Sequence, residues 1–423
     1  MRLIALIALL VFASPARGLP LISDAETQEA VEALAAPLAA AAGLETLHIY
    51  IVNDPSINAF ATVDSTIALH SGLIMAAKTQ GDLAAVIAHE LGHVKAGHPL
   101  REGQLRTESL GQTLLMGAAA VAAGVASGNP SVAVAGVMMG GHVGAANAMA
   151  YRRGQESSAD IIAVDLLRKT GIAPSHMLRV MEGIALSGRL EGAPRSSAPF
   201  YATHPTTQSR LAYARQFADG GDKLYLPPAR FARMQAKLRA FLLPVEQLAG
   251  ASDPYVRAIG AYRVQDFGKA YKGLDALIAA APRDAYLYEL KGEMLLDQGR
   301  AADALAAYRK ALHLKPDRLL LATGLARAAV AADSGLDEAI AALEAMAPLH
   351  AERPELWAAL GAAYAKAGKP QAYAAACRAE LASLGGDAKQ AEKLALDAAG
   401  GLPENNFLRR RMEDLRKTEK GIR

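Results

Sequence analysis

Five consecutive residues have the types and the spacing that metal chemistry requires: His89-Glu90-Leu91-Gly92-His93. On a helix, residues i and i+4 lie on one face, so the two imidazoles can bind a single ion from adjacent turns. Glu90 projects beside them, where its carboxylate can reach a water on the metal without being a ligand. Two solvent-facing histidines on an ordinary helix are the alternative. The pentad favours a hydrolytic metal site.

A catalytic zinc needs three protein ligands, which leave the fourth position for water. A histidine at position 99 would extend the pentad to another zinc-binding pattern, but that residue is Pro99 and His98 lies one position early. Glu156 is the better candidate, because it shares a face of a second predicted helix with Asp160. Asp160 can then fix the tautomer of a ligand histidine, unless it is a plain exposed acid. The sequence predicts one Zn²⁺ per chain, with these ligands: His89, His93 and Glu156.

The elements that must carry these residues have start and stop signals. Asp82 can cap the helix of the pentad, and Gly43 can end a helix near the N-terminus. Runs of β-forming residues between turn signals predict two strands. The predicted elements are helices over 17–43, 81–98 and 156–169 and strands over 47–52 and 66–70.

The N-terminus has the pattern of a secretory signal. Arg2 precedes an apolar run over 3–13, and small residues offer cleavage after Ala16. About 11 apolar residues are too few to span a bilayer, so we predict a signal peptide over 1–16. A membrane anchor and a buried helix are the alternatives.

Residues 114–141 are almost wholly apolar and uncharged. Gly128-Asn129-Pro130 divides them into two halves, each shorter than the ~20 residues of a spanning helix. We predict a helical hairpin packed on the catalytic domain. Peripheral membrane contact is the alternative.

The second half of the chain repeats itself. Pro282 and Pro316 are 34 residues apart, and Gly292 and Gly361 are 69 apart. Thirty-four residues is the period of the tetratricopeptide (TPR) helix pair, and the pattern Trp357-x-x-Leu360-Gly361-x-x-Tyr364 is typical of its first helix. We predict about four TPR repeats over 254–400.

Composition narrows the class of protein. Of the 423 residues, 52% are hydrophobic and only 5% aromatic, which favours closely packed helices. A net charge of +3 predicts no nucleic-acid partner, and the single cysteine excludes an intrachain disulfide.

The predicted fold is mainly α (α+β), a zincin-like domain with a small β-sheet before an α-solenoid. The predicted boundaries are 17–228 for the catalytic domain, 229–253 for a linking helix and 401–423 for a charged tail.

Together these motifs resemble the BepA-type periplasmic metalloproteases, relatives of the HtpX proteases within the gluzincins. The resemblance rests on the pentad, on Glu156-Ser157-Ser158-Ala159-Asp160, on Thr203-His204-Pro205 and on the repeats. It implies that Glu90 is the general base, that His204 lies near the metal and that Arg210 is an active-site arginine. It also implies an edge strand that binds substrate, with these residues: Asn58, Ala59, Phe60 and Ala61.

The resemblance further implies a periplasmic zinc endopeptidase. Such an enzyme would degrade misfolded or stalled envelope proteins, and its TPR groove would bind clients or assembly partners. The alternative is a chaperone or assembly scaffold that acts mainly through the repeats, with latent proteolysis. The intact pentad favours an enzyme and leaves a dual role open.

Overall fold

The computed structural model of the chain describes residues 11–13, 20–62, 64–101, 151–187, 204, 207–217, 221–248 and 250–421. This part is mainly helical with a small mixed sheet, which confirms the predicted fold class. It forms two compact units: the HExxH unit, residues 29–233, and the repeat unit, residues 1–28 and 234–423.

Two predicted features of the chain are not covered by these residues. The hairpin predicted over 114–141 and most of the signal peptide predicted over 1–16 lie outside the described residues, and both remain predictions. Among the helices that are described, none combines the length and the apolar character needed to cross a membrane.

The described strands are β1 Val11–Ala13, β2 Pro20–Ile22, β3 His48–Val52, β4 Ala59–Ala61 and β5 Thr66–His70. The three strands that lie in the HExxH unit, β3 to β5, are arranged around one buried strand. β3 and β5 confirm the two predicted strands. β5 is buried along its whole length, and it pairs in parallel with β3 and antiparallel with β4. β4 is the outermost strand, and no second described strand pairs with it.

The helices that accompany these strands are α1 Ala25–Ala42, α2 Ser71–Ala76, α3 Gln80–Lys95, α4 over 151–170, α5 Ser175–Ser187, α6 Gln208–Gln216 and α7 Pro228–Leu242, and residues 98–101 are also helical. α1 ends before Gly43, whose φ of 76° only glycine adopts without strain, as predicted. The predicted start at 17 is wrong, because residues 20–22 form β2, which pairs with β1.

The N-cap of the pentad helix lies three residues before the cap that the sequence indicated. Thr79 is the N-cap of α3, and its hydroxyl accepts a hydrogen bond from the Asp82 backbone N–H. The Asp82 carboxylate accepts in return from the Thr79 N–H, which completes a capping box. The prediction that Asp82 is the cap is therefore wrong. Asp82 is the third residue of the helix, and it closes the cap from inside.

α3 and α4 approach each other closely, because a glycine lies between them. A Cβ atom on Gly92 would overlap the backbone of Ala159. This contact brings the pentad against the stretch of α4 that carries Glu156 and Asp160. Gly92, the pentad residue before His93, therefore decides how closely the pentad side chains and the side chains of Glu156 and Asp160 can lie.

The repeat unit continues as ten helices in pairs: α8 Pro254–Arg263, α9 Phe267–Ala280, α10 Ala285–Asp297, α11 Ala301–Leu314, α12 Leu319–Ala332, α13 Leu336–Met346, α14 Pro354–Lys366, α15 Gln371–Leu384, α16 Ala388–Ala399 and α17 Phe407–Gly421. Each helix packs on the next, and α10, α12 and α14 also pack on one another in turn. Such nearest-neighbour packing is typical of a solenoid.

Small and large residues of the repeat pattern interlock. A Cβ atom on Gly292 or Gly324 would overlap the ring of Tyr308, which is fully buried. Trp357 is also fully buried, and its indole N–H donates to the Ala351 carbonyl at 2.8 Å. The repeated glycines thus leave room for the aromatic rings that fill the core.

The segment predicted as a charged tail, 401–423, contains a packed helix. α17 contacts α15 and α16, and its Leu408 and Met412 are completely buried. The many charges of this segment lie at the other positions of an amphipathic helix, so a count of charges alone did not indicate its apolar face.

Candidate metal centre

Four ligand-type side chains converge in the HExxH unit: His89 and His93 from α3, Glu156 from α4, and His204. Each offers one ligand atom, and these four atoms all lie within 4.8 Å of one another. The Nε2 atom of His89 lies 3.2 Å from Nε2 of His93 and 3.2 Å from Nδ1 of His204. The structure brings together the three predicted ligands and the histidine of the Thr203-His204-Pro205 motif.

Glu156 lies at the centre of this group. Its Oε1 is 3.0 Å from His204 Nδ1 and 3.4 Å from His93 Nε2, and its Oε2 is 3.3 Å from His89 Nε2. Burial alone would raise the pKa of this carboxyl, but hydrogen bonds from the three histidines hold the pKa well below its ordinary value. Glu156 is therefore ionised and available as a ligand.

The donor set and its surroundings fit a zinc-type ion. Three imidazoles and one carboxylate are ligands that such ions prefer. Glu90 is buried beside them, at 1% exposed, and its Oε1 meets no hydrogen-bond partner among the residues that the structure describes. This oxygen lies 3.5 Å from His204 Nε2. A buried carboxylate oxygen without a partner is costly, so its position beside the donor set indicates that water completes the site.

Asp160 and Arg210 hold the ligands from outside. Asp160 Oδ1 lies 3.0 Å from Nδ1 of His89, the pairing that the sequence predicted for a ligand histidine. Arg210 donates to both oxygens of Asp160, at 2.6 and 2.8 Å, and its third nitrogen lies 2.8 Å from Glu156 Oε2. All three guanidinium nitrogens thus face carboxylates, so the geometry favours a positioning role for Arg210.

The electrostatics of this group favour a bound cation. Burial lowers the pKa of His89, but the carboxylates of Asp160 and Glu156 outweigh burial and raise the pKa to about 10. Burial alone would raise the pKa of Asp160, but hydrogen bonds from Arg210 and His89 hold this pKa below its ordinary value. The two carboxylates thus make the centre attractive for positive charge, which a metal ion can supply.

His98 is the residue of this group that the sequence analysis missed. It was considered only as a third ligand, but its Nδ1 lies 3.0 Å from Nδ1 of His93, on the side away from the ligand atoms. Burial lowers the pKa of His98 to about 4, and the neighbouring His93 adds to the effect. The available signal was its place five residues after His93, just beyond the end of α3 at Lys95.

The predicted substrate strand lies next to the pentad helix. Ala59, Phe60 and Ala61 form β4, and β4 packs on α3. Asn58 precedes the strand, and its carbonyl accepts a hydrogen bond from the His70 N–H at 3.0 Å. One edge of β4 is thus paired with β5, which leaves its other edge as the outer edge of the described sheet.

A helix-borne pentad, a carboxylate ligand from a second helix and a buried glutamate define a metallopeptidase centre. Residues 23–218 match the model of Peptidase family M48, so this part of the chain is similar to the metallopeptidase domain of that family.

Curated relatives match beyond this domain. The chain is 29% identical over 328 residues to the beta-barrel assembly-enhancing protease of Escherichia coli (strain K12), which covers 71% of this chain and 64% of the relative. It is 28% identical over 412 residues to the protein of that name from Yersinia pestis, covering 88% and 81%. It is 33% identical over 174 residues to the metalloprotease LoiP of Escherichia coli (strain K12), covering 41% and 63%. The match thus spans less than two thirds of both Escherichia coli proteins.

Proposed function

We propose that the protein is a zinc-dependent endopeptidase of the bacterial-type cell envelope that degrades misfolded or stalled envelope proteins. The observation that carries this proposal is the convergence of the ligand atoms of His89, His93 and Glu156, with the buried Glu90 on the same helix as the two histidines. These three side chains hold one zinc ion, which supplies a Lewis acid that activates a water and polarises the scissile carbonyl.

Glu90 is the general base of the reaction. Its Oε1, which has no hydrogen-bond partner among the described residues, takes a proton from the attacking water and passes it to the leaving amine. Asp160 holds His89 in the tautomer whose Nε2 is free, and Arg210 holds Asp160 and Glu156 together. The protein thus presents its base and its ligands in one fixed arrangement.

His204 is a latch in the resting enzyme. Its Nδ1 lies among the ligand atoms, 3.2 Å from His89 Nε2, so it would be a further ligand of a bound zinc ion in place of water. The residue before a proline is disfavoured in helical geometry, and His204 lies in a bend outside the described helices. A loop histidine can leave when a substrate arrives. Stabilisation of the reacting carbonyl oxygen is the second role that its position allows.

The substrate binds as an added strand on the outer edge of β4. Main-chain hydrogen bonds to residues 58–61 give affinity with little sequence preference, which suits an enzyme that degrades unfolded chains. The packing of β4 on α3 supports this proposal, because a peptide on that edge lies next to the pentad.

The repeats bind clients or assembly partners, and the enzyme acts in the periplasm. Support comes from the similarity to relatives named beta-barrel assembly-enhancing protease and from the solenoid packing of α8–α17. Peripheral membrane contact through 114–141 belongs to the same proposal. The size of the repeat unit also favours a second function, a chaperone or assembly scaffold whose proteolysis is latent.

Digestion of casein, with and without a zinc chelator, tests the proposal. Glu90→Gln should lower turnover by at least about 100-fold, because it removes the base, while zinc content stays at one per chain because all three ligands remain. Glu404→Gln on the exposed surface is the matched control and should match the wild type. Chelator-resistant digestion, or near-native turnover by Glu90→Gln, would contradict the assigned mechanism. A chain that binds unfolded clients but never cleaves them would support the scaffold.

A further inference from the structure

The second histidine of the pentad begins a chain of three short polar contacts. Nδ1 of His93 lies 3.0 Å from Nδ1 of His98, and Nε2 of His98 lies 3.1 Å from Oγ of Ser158. The Ser158 hydroxyl in turn donates to the backbone carbonyl of Gln155 at 2.9 Å. Gln155 directly precedes Glu156. The chain therefore leads from one proposed ligand to the backbone beside another.

The last contact fixes the direction of every proton in this chain. A carbonyl oxygen only accepts, so the single hydroxyl proton of Ser158 points to Gln155. Ser158 Oγ then accepts from His98, which places the His98 proton on Nε2 and leaves its Nδ1 as an acceptor. A neutral His93 must therefore donate from Nδ1, so the lone pair that it offers to a metal is on Nε2, the nitrogen 3.4 Å from Glu156.

We propose that His98 and Ser158 are positioning residues that hold His93 as the Nδ1–H tautomer, with Nε2 directed at the metal. The proposal rests on the proposed zinc site and deepens it. Ligand histidines require a partner on the other ring nitrogen, and loss of that partner typically weakens metal binding 10–100-fold. His89 has such a partner in Asp160, and the His98 chain supplies the counterpart for His93.

The local backbone is shaped for this contact. α3 ends at Lys95, and Gly97 has a φ of 68°, a left-handed conformation that reverses the chain directly after the helix. His98 follows at 6% exposed, packed back against the last turn of α3. Its ring stands edge to face with that of His93, at 4.9 Å between centroids. The partner of His89 is an acid, Asp160. The partner of His93 is His98, which has the hydrogen-bonding pattern of a neutral ring.

Three variants separate hydrogen bonding from packing. His98→Leu keeps apolar volume but removes the acceptor, so zinc affinity should fall about 10–100-fold in a chelator competition assay. His98→Gln can still accept from His93 and donate to Ser158, so it should bind zinc within about threefold of the wild type. Ser158→Ala removes the last link and should give an intermediate loss. His313→Leu, on an exposed face of α11, is the control for loss of a histidine and should change nothing.

The spectrum of the cobalt-substituted protein gives a readout that packing alone would not move. In His98→Leu the ligand-field bands should shift and broaden, because His93 is no longer held in one orientation, and in His98→Gln they should match the wild type. The inference is wrong if His98→Leu binds zinc as the wild type does, or if His98→Gln is as weak as His98→Leu. A wild-type chain that binds no zinc would instead refute the proposed function, so the two failures are distinct.

Discussion

At the scale of single residues, the centre is held together by carboxylates and by outward-facing ring nitrogens. Glu156 contacts three histidines and one guanidinium nitrogen, so each of its oxygens is shared. Arg210 links it to Asp160, the partner of His89. A change in one member therefore alters the orientation of the others, and single substitutions here should not be additive.

His204→Ala tests the latch at this scale. If His204 occupies the fourth ligand position, its removal should raise peptidase activity severalfold, and the cobalt spectrum should lose one nitrogen ligand. A lower activity with an unchanged spectrum would assign His204 to the stabilisation of the reacting carbonyl instead. If neither activity nor spectrum changed, both roles would be dismissed.

At the scale of elements, α5 is joined to the start of α3 by a buried histidine. His176 is 2% exposed, and its Nδ1 lies 2.8 Å from Asp82 and its Nε2 3.0 Å from Asp222. Arg179 and Thr79 also face it, at 3.1 and 3.3 Å from Nδ1. The hydrogen bond to Asp82 raises the pKa of His176, burial opposes it, and Asp222 adds to the increase. The imidazolium form donates from both nitrogens and so satisfies both acids.

This arrangement predicts a pH-dependent stability of the HExxH unit. Because the folded pKa is above the ordinary value, the contribution of His176 is complete below about pH 6.5 and is lost as pH rises through the folded pKa. His176→Gln should cost about 1–3 kcal/mol at pH 6 and clearly less at pH 9. Urea unfolding followed by circular dichroism measures this, and Trp357 fluorescence separates the transition of the repeat unit.

His313→Gln, an exposed histidine outside this group, is the control for that series. A stability difference between His176→Gln and the wild type that stays constant from pH 6 to 9 would show that the ring acts through packing and not through its charge.

Local signals in the sequence predicted most of these elements. They did not predict which side chains from different elements contact each other. Gly43 ends α1, and the apolar and β-branched runs give β3 and β5, because these preferences act over a few residues. The contact of Arg210 with Asp160 depends on how α6 lies against α4, and the contact of His98 with Ser158 depends on how closely α3 and α4 approach. Gly92 decides that approach, and no pattern in the sequence states what it faces.

At the scale of the whole molecule, the repeat unit is assembled from two distant stretches of chain. Lys237 of α7 is buried at 4% exposed and forms an ion pair with Asp24; its Nζ also lies 3.4 Å from Glu26 and 3.8 Å from Glu289. Glu289 accepts a hydrogen bond from the Ala25 backbone N–H at 2.8 Å. The nearby carboxylates raise the pKa of Lys237 well above its ordinary value despite burial, which lowers it. Residues 24–26 are thus held to the first repeats by one buried ammonium group.

Lys237→Met should therefore destabilise the repeat unit by about 3–5 kcal/mol at neutral pH, because it leaves buried carboxylates without their cation. The loss should shrink as pH falls, since protonation of these acids removes their mutual repulsion. Lys291→Met, which breaks a more exposed pair with Asp275, is the matched control and should cost about 1 kcal/mol or less. The only tryptophan of the chain, Trp357, is buried in this unit and reports its urea midpoint by fluorescence. An equal midpoint for Lys237→Met and Lys291→Met at pH 7 would show that the buried ammonium group does not hold the two stretches together.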